Sequence, residues 1–162
     1  MIKSPSFKEL LANPNHFFAF GFGSGLAKKA PGTCGTLAAI PFFLLLQYLS
    51  WPLYLSWLLV TFALGVVWCD RSSKALGVHD HGGIVWDEFV GYWITMFMAP
   101  AGWQWILLGF VLFRFFDVLK PWPINWLDKK VHGGFGIMID DVLAGIYALI
   151  VLQLIAFSVR FL

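Results

Sequence analysis

Five apolar runs, at residues 36–49, 53–68, 89–100, 103–116 and 137–161, take up most of this chain and leave little of it fit to meet water. Ionised side chains make up 12% of the residues, where a soluble domain carries about 25%. The mean hydropathy is +0.76. That composition cannot cover the surface of a water-soluble bundle. The pattern therefore predicts an all-α, polytopic membrane bundle of about five apolar helices, forming a single domain over residues 1–162. Several runs fall short of the roughly 20 residues a lone spanning helix needs. Their charged ends must then extend the helices, with polar groups turned inward or reaching the interface. Residues 1–15 read as an amphipathic N-terminal segment on the membrane surface. Within it "SPSFKELL" forms a short helix capped by Ser4 or Ser6. No cleaved leader is expected, because Pro5, Asn13, Pro14 and Asn15 interrupt any apolar stretch there.

Charge placement sets an expected topology. Lys3, Lys8, Lys28 and Lys29 precede the first run, and Arg71 and Lys74 follow the second. Arg114, Lys120, Lys129 and Lys130 end or follow the fourth, and Arg160 stands at the far end. The turns "SWP" and "AGW" carry no charge. By the positive-inside rule the N-terminus is cytoplasmic and the two uncharged turns lie outside. The polar stretches 21–36, 79–88, 114–128 and 132–141 then share one cytoplasmic face, the layout of a single site. A net charge of +2 is too small to suggest nucleic acid. Cys34 and Cys69 match no metal or redox spacing and read as free thiols.

Six of the nine acids, Asp80, Asp87, Glu88, Asp117, Asp140 and Asp141, lie at or beside the ends of apolar helices. An ionised group within the bilayer costs about 2.5–3.5 kcal/mol or more, so it faces the bundle interior and has a partner. Asp87, Gly91 and Thr95 make one small, polar stripe, and Asp141, Gly145 and Ala148 make another. Arg114 and Asp117 stand at i,i+3 on one helix face. Converging carboxylates repel by about 4 kcal/mol per pair at 4 Å and an effective dielectric of 20. Arg114 and Lys120 cannot offset six. A hard divalent cation can, and oxygen ligands with few imidazoles favour Mg²⁺ over Zn²⁺. The plainer reading is that each acid caps a helix or pairs with a nearby base: Asp87, Asp140 and Asp141 are expected near helix N-termini, where the dipole favours anions. His79 and His81, flanking Asp80, are candidate ligands or general acids.

"FGFGSGLAKKAPGTCGTLAAI" leads into the first apolar helix with Gly23, Ser24, Gly25, Gly32, Thr33, Gly35 and Thr36. Backbone N–H groups in such a loop, with a helix N-terminus behind them, suit a phosphate. No GKS or GKT follows, so this is not a Walker A loop. Read from the residues, the chain has a cytoplasm-facing, Mg²⁺-dependent site for a phosphate at headgroup depth. The substrate would be a phospholipid or an amphiphilic phosphate. A membrane transporter of a divalent cation or phosphate is the alternative, since intramembrane carboxylates also mark ion paths.

Four motifs in order, "GFGSGL…APGTCGTL", "VHDHGGIVWDEFVGYWIT", "FRFFDVLKPWPINWLD" and "VHGGFGIMIDDVLAG", closely resemble the phosphatidylglycerophosphatase A family over about residues 16–148. The resemblance implies a bacterial inner-membrane phosphoric monoester hydrolase of phospholipid biosynthesis. Such an enzyme removes the terminal phosphate of phosphatidylglycerophosphate with Mg²⁺. It further implies Asp87, Glu88, Asp117, Asp140 and Asp141 as metal ligands, and His79, Asp80, His81, Asp87 and Asp141 in catalysis. The loop glycines and hydroxyls, with Arg114 and Lys120, would hold phosphate. Either an aspartate or a water attacks phosphorus. Lys28 stands where the family pattern leads one to expect proline, which alters the loop but not the acids.

Overall fold

The computed structural model describes residues 4–78 and 81–160. Among these residues it contains eight α-helices, one 3₁₀ turn and no strand. Helices α1 (Phe7–Ala12) and α2 (Pro14–Ala19) are followed by the 3₁₀ turn Gly21–Leu26 and then by α3 (Pro31–Leu46) and α4 (Trp51–Leu76). The remainder is α5 (Trp86–Thr95), α6 (Trp103–Leu119), α7 (Ile124–Lys130) and α8 (Gly133–Val159).

The N-terminal helices form for local reasons. Ser6, rather than Ser4, caps α1 and makes a reciprocal capping box with Glu9. Asn13 ends α1 and caps α2 through its side-chain oxygen on the Asn15 N–H at 3.0 Å.

The expected five spanning helices are not five full-length helices. Two, α4 with 26 residues and α8 with 27, are long and apolar enough to cross a membrane. Helix α3 has 16 residues and α6 has 17. Helix α5 has only 10, a rise of about 15 Å, half a bilayer core. It stops at Met96, before Met98 enters a left-handed conformation and Pro100 removes a donor.

This short helix is the centre of the bundle. It packs on α8, α3, α4 and α6. Phe89, Val90, Tyr92 and Trp93 are wholly buried. Its neighbours are tied by the polar tips of buried aromatics. Trp93 Nε1 donates to Ala39 O in α3 at 3.0 Å, and Trp86 Nε1 donates to Thr61 O in α4 at 3.1 Å. Tyr54 Oη of α4 donates to Trp93 O at 2.7 Å. A buried ring with a satisfied tip contributes apolar area without an orphaned polar atom.

The outer faces are apolar as well. Leu107, Val111, Phe115 and Val118 run down the exposed side of α6, and Ile146, Ile150, Leu154 and Phe157 down that of α8. A helix in water carries polar residues on such a face.

Candidate functional site

The acids and bases meet at one end of the bundle, where α5 and α8 begin and α6 ends. Arg114 Nη1 of α6 lies 2.7 Å from Asp117 Oδ2 and 3.3 Å from Glu88 Oε1 of α5. The i,i+3 pair expected from sequence thus forms, and it reaches across to a second helix. Lys120 ends α6 in a left-handed conformation that turns its ammonium back over α8. Its Nζ lies 2.7 Å from Asp140 Oδ2 and 2.9 Å from Asp128 Oδ1 of α7. Burial alone would lower the Lys120 pKa, but the hydrogen bonds and charges of Asp140 and Asp128 outweigh it and raise it above the usual lysine value.

Asp141 is the deepest acid among the described residues, 3% exposed. The carboxyls of Asp117, Asp87, Asp140 and Glu88 are all within electrostatic reach of it. All five expected metal-type acids are therefore brought together. Arg114 and Lys120 pair with Glu88, Asp117, Asp128 and Asp140. Asp140 Oδ1 and Asp141 Oδ2 are buried and accept no hydrogen bond. Buried carboxylate oxygens without partners are costly unless a cation meets them. Among the described residues no three His, Cys, Asp or Glu side chains already form a ligand shell. The donor set, hard oxygens with two such orphans, is nonetheless of the type Mg²⁺ takes.

One expectation changes, and four side chains expected to meet phosphate have protein partners. Asp140 and Asp141 do not sit at a helix N-terminus: α8 begins at Gly133, so both are about two turns inside it. The dipole at the first turn does not account for them. Arg114 and Lys120, expected to hold phosphate, are bound to carboxylates. The loop hydroxyls of Ser24 and Thr36 donate to their own backbone, at Gly21 O (2.8 Å) and Gly32 O (3.0 Å).

The glycine-rich segment acts partly through close approach. The chain reverses through Phe22 and Gly23, both with positive φ. A Cβ at Gly25 would collide with the Gly83 carbonyl, so this loop seats directly on the loop that carries His81. Gly32 and Gly35 let the first turn of α3 come against the Glu88 carboxylate, with the Cβ site of Gly32 also 3.1 Å from Arg114 Nη1. Thr33 shares that first turn, half-buried. No side chain caps α3.

His81 is buried beside Phe20. Its Nδ1 accepts from Gly83 N–H at 3.0 Å, which leaves the proton on Nε2. Nε2 is 3.5 Å from Ser4 Oγ. Ser4, Phe7, Gly25, Lys28, Pro31 and His81 line a cleft of about 570 Å³, and the first turn of α3 separates it from the acids. His79 and Asp80 lie outside the described residues.

Sequence reasoning missed two acids. Asp128 is the second carboxylate on Lys120; its signal was the "KPWPINWLD" turn, which leads from α6 into α7, packed on α8. Asp70 of α4 accepts from Gly134 N–H at 3.2 Å, capping the start of α8. No sequence spacing pointed to that contact.

A family model described as "Phosphatidylglycerophosphatase A" matches residues 17–156. A protein of that name from Escherichia coli (strain K12) is 54% identical over 137 residues, covering 84% of this chain and 80% of the relative. One from Haemophilus influenzae is 53% identical over 150 residues, covering 91% of this chain and 92% of the relative. A third relative, from Bacteroides thetaiotaomicron, is provisionally named a phosphatidylinositol-3-phosphatase. It is 35% identical over 158 residues, 93% of this chain and 95% of the relative. No solved structure matches the chain.

Proposed function

The chain belongs to the phosphatidylglycerophosphatase A family, and from that premise we propose that it hydrolyses the terminal phosphate monoester of phosphatidylglycerophosphate in a bacterial inner membrane. The products are phosphatidylglycerol and phosphate, a step of phospholipid biosynthesis. The observation that carries this reading is the acid cluster itself. Asp141 and its four acidic neighbours gather at one end of a bundle whose outer faces are apolar. That is where a lipid phosphate at headgroup depth would be met.

Helices α4 and α8 cross the bilayer, and the acid end faces the cytoplasm, on the side the lysines and arginines favour. Asp87, Glu88, Asp117, Asp140 and Asp141 would hold Mg²⁺, which when bound supplies positive charge to the phosphoryl oxygens. Arg114 and Lys120 hold these carboxylates in place and remain within the same charged cluster as the phosphate. The bond between phosphorus and the glycerol oxygen breaks, a water supplies the new oxygen, and the leaving alkoxide takes up a proton. His81 carries a proton at Nε2 in the neighbouring cleft, across the first turn of α3 from the acids, and would pass it through water rather than directly. A transport reading is weaker, because the acids gather at one end instead of marking a path through the bundle.

Phosphate release from phosphatidylglycerophosphate in detergent micelles tests the reading. Release with Mg²⁺, its loss in EDTA, and its loss in Asp141→Asn with helicity retained are the expected results. A well-folded protein that releases no phosphate with Mg²⁺ overturns it, and EDTA-resistant release overturns the metal assignment.

A further inference from the structure

We infer that the apolar groove between α4, α5 and α8 seats one acyl chain of the lipid substrate, an inference that rests on the phosphatase reading above. The groove has a volume of about 430 Å³, and all twelve residues that line it are apolar. Its α8 wall is a stripe spaced by alternating four and three residues: Phe135, Ile139, Val142, Ile146 and Leu149. By the helical rise that stripe is about 21 Å long. One leaflet's hydrocarbon, half of a core of roughly 30 Å, fits within that length.

Asp87 of the acid cluster stands beside one end of the groove, on the α5 face that helps to line it. The groove's α5 wall is Val90, Ile94 and Phe97, and Asp87 precedes Val90 by one turn. On α8, Ile139 and Val142 stand at the level of Asp140 and Asp141, which occupy another face of the helix. A phospholipid whose phosphate sits among these acids must lead its tails away along the bundle. Of the other cavities, the cleft beside His81 has serines and Lys28 in its walls. The hollow near Gln47 and Trp51 lies at the opposite end of α5. The α4–α5–α8 groove has a wholly apolar wall that ends one helical turn from Asp87. Its lips, Leu59 and Ile146, are 64% and 37% exposed, so it opens sideways, as entry from a bilayer requires.

The test compares a long-chain and a short-chain phosphatidylglycerophosphate in the same mixed micelles. Ile146→Trp fills the groove, Ile146→Ala widens it, and Leu154→Trp, on an exposed face outside it, is the control. Both Ile146 variants should raise KM for the long-chain lipid, Ile146→Trp by about tenfold, with kcat held and short-chain turnover unchanged. That is the signature of lost uniform binding. Leu154→Trp should match the parent. Equal losses on both lipids, or no change on either, in variants with parental helicity overturn the inference. So does a shift of Ile146→Trp from dimer to monomer in detergent, which would make the groove an interface between copies. A parent protein that turns over neither lipid defeats the phosphatase reading, a different result.

Discussion

Gly145 of α8 is seated on the carbonyl oxygen of Gly91 of α5, so close that a Cβ at position 145 would collide with it. The two helices start from the same end of the bundle. Asp141 lies one turn before Gly145 and Asp87 one turn before Gly91. The glycine contact therefore sets how near these two acids come. Thr95 Oγ1, one turn further on, spans the same seam, 3.0 Å from Gly91 O and 3.4 Å from Gly145 O.

Gly145→Val should push α5 and α8 apart. The obstacle is backbone, which cannot swing aside, so a loss of about 1–3 kcal/mol is expected from overpacking. Phosphate release should fall as well, because the acids separate. Thermal melts and turnover of the same preparation check both. A variant as stable and as active as the parent would show that the seam is looser than described.

Lys120→Met should leave Asp140 without its counter-charge. Asp140 is 7% exposed, and its Oδ1 already accepts no hydrogen bond. Lys120 is partly exposed, so the cost is about 1–3 kcal/mol, that of an unsatisfied buried group rather than of a fully buried ion pair. The double variant Lys120→Met/Asp140→Asn should recover stability, since the second change removes the stranded charge. A double-mutant cycle in denaturant measures the coupling, and additive losses would deny it.

Gly32→Ala separates positioning from stability. The added Cβ would meet the Glu88 carboxylate at its flexible end, so the fold adjusts with a change of less than about 1 kcal/mol. Activity should drop much further, by up to about 10²-fold, because a carboxylate proposed to hold Mg²⁺ loses its geometry when displaced by about 1 Å. Parallel melting curves and kcat/KM values decide it; equal activity would place Glu88 outside the working site.

His16 should make stability depend on pH. Its Nδ1 is 2.7 Å from Ser72 Oγ of α4. Burial lowers its pKa below 6.5, against a smaller opposing effect of Glu9. A depressed folded-state value means that the unfolded chain takes up the proton first. His16 therefore contributes its full stability above pH 6.5 and loses it as pH falls below that value. The stability gap between the parent and His16→Gln should narrow from pH 7.5 to pH 5. A constant gap would mean that His16 does not titrate differently on unfolding.

Much of the site was legible in the sequence because its logic is local. Helix periodicity put Arg114 beside Asp117, and Asp87 on one face with Gly91 and Thr95. The capping box at Ser6 and Glu9 is a three-residue signal. Other features were not legible. The interrupted apolar run at 89–100 looked like a span, but only ten residues of it and its approach wind into α5. Asp128 and Asp70 were passed over because their partners, Lys120 and the Gly134 N–H, are brought to them by turns and helix docking. The starts of helices misled too. Apolar residues begin in earnest at Ile137, yet Gly133 opens α8, capped from outside by Asp70, and so carries Asp140 and Asp141 into its interior.

By itself the sequence determined that this chain is helical, too apolar to be covered by water, and equipped with more carboxylates than its bases can offset. Composition and short-range spacing carry that information, because they depend on hydropathy, helical period and charge within a few residues. Tertiary structure alone decided which carboxylates lose their partners. Arg114 and Lys120 each reach two acids, and Asp141 is left buried among four others. That outcome depends on how closely α5, α6 and α8 approach, set by Gly91 against Gly145 and by the left-handed turn at Lys120, and it involves pairs of residues too distant in the chain for periodicity to relate.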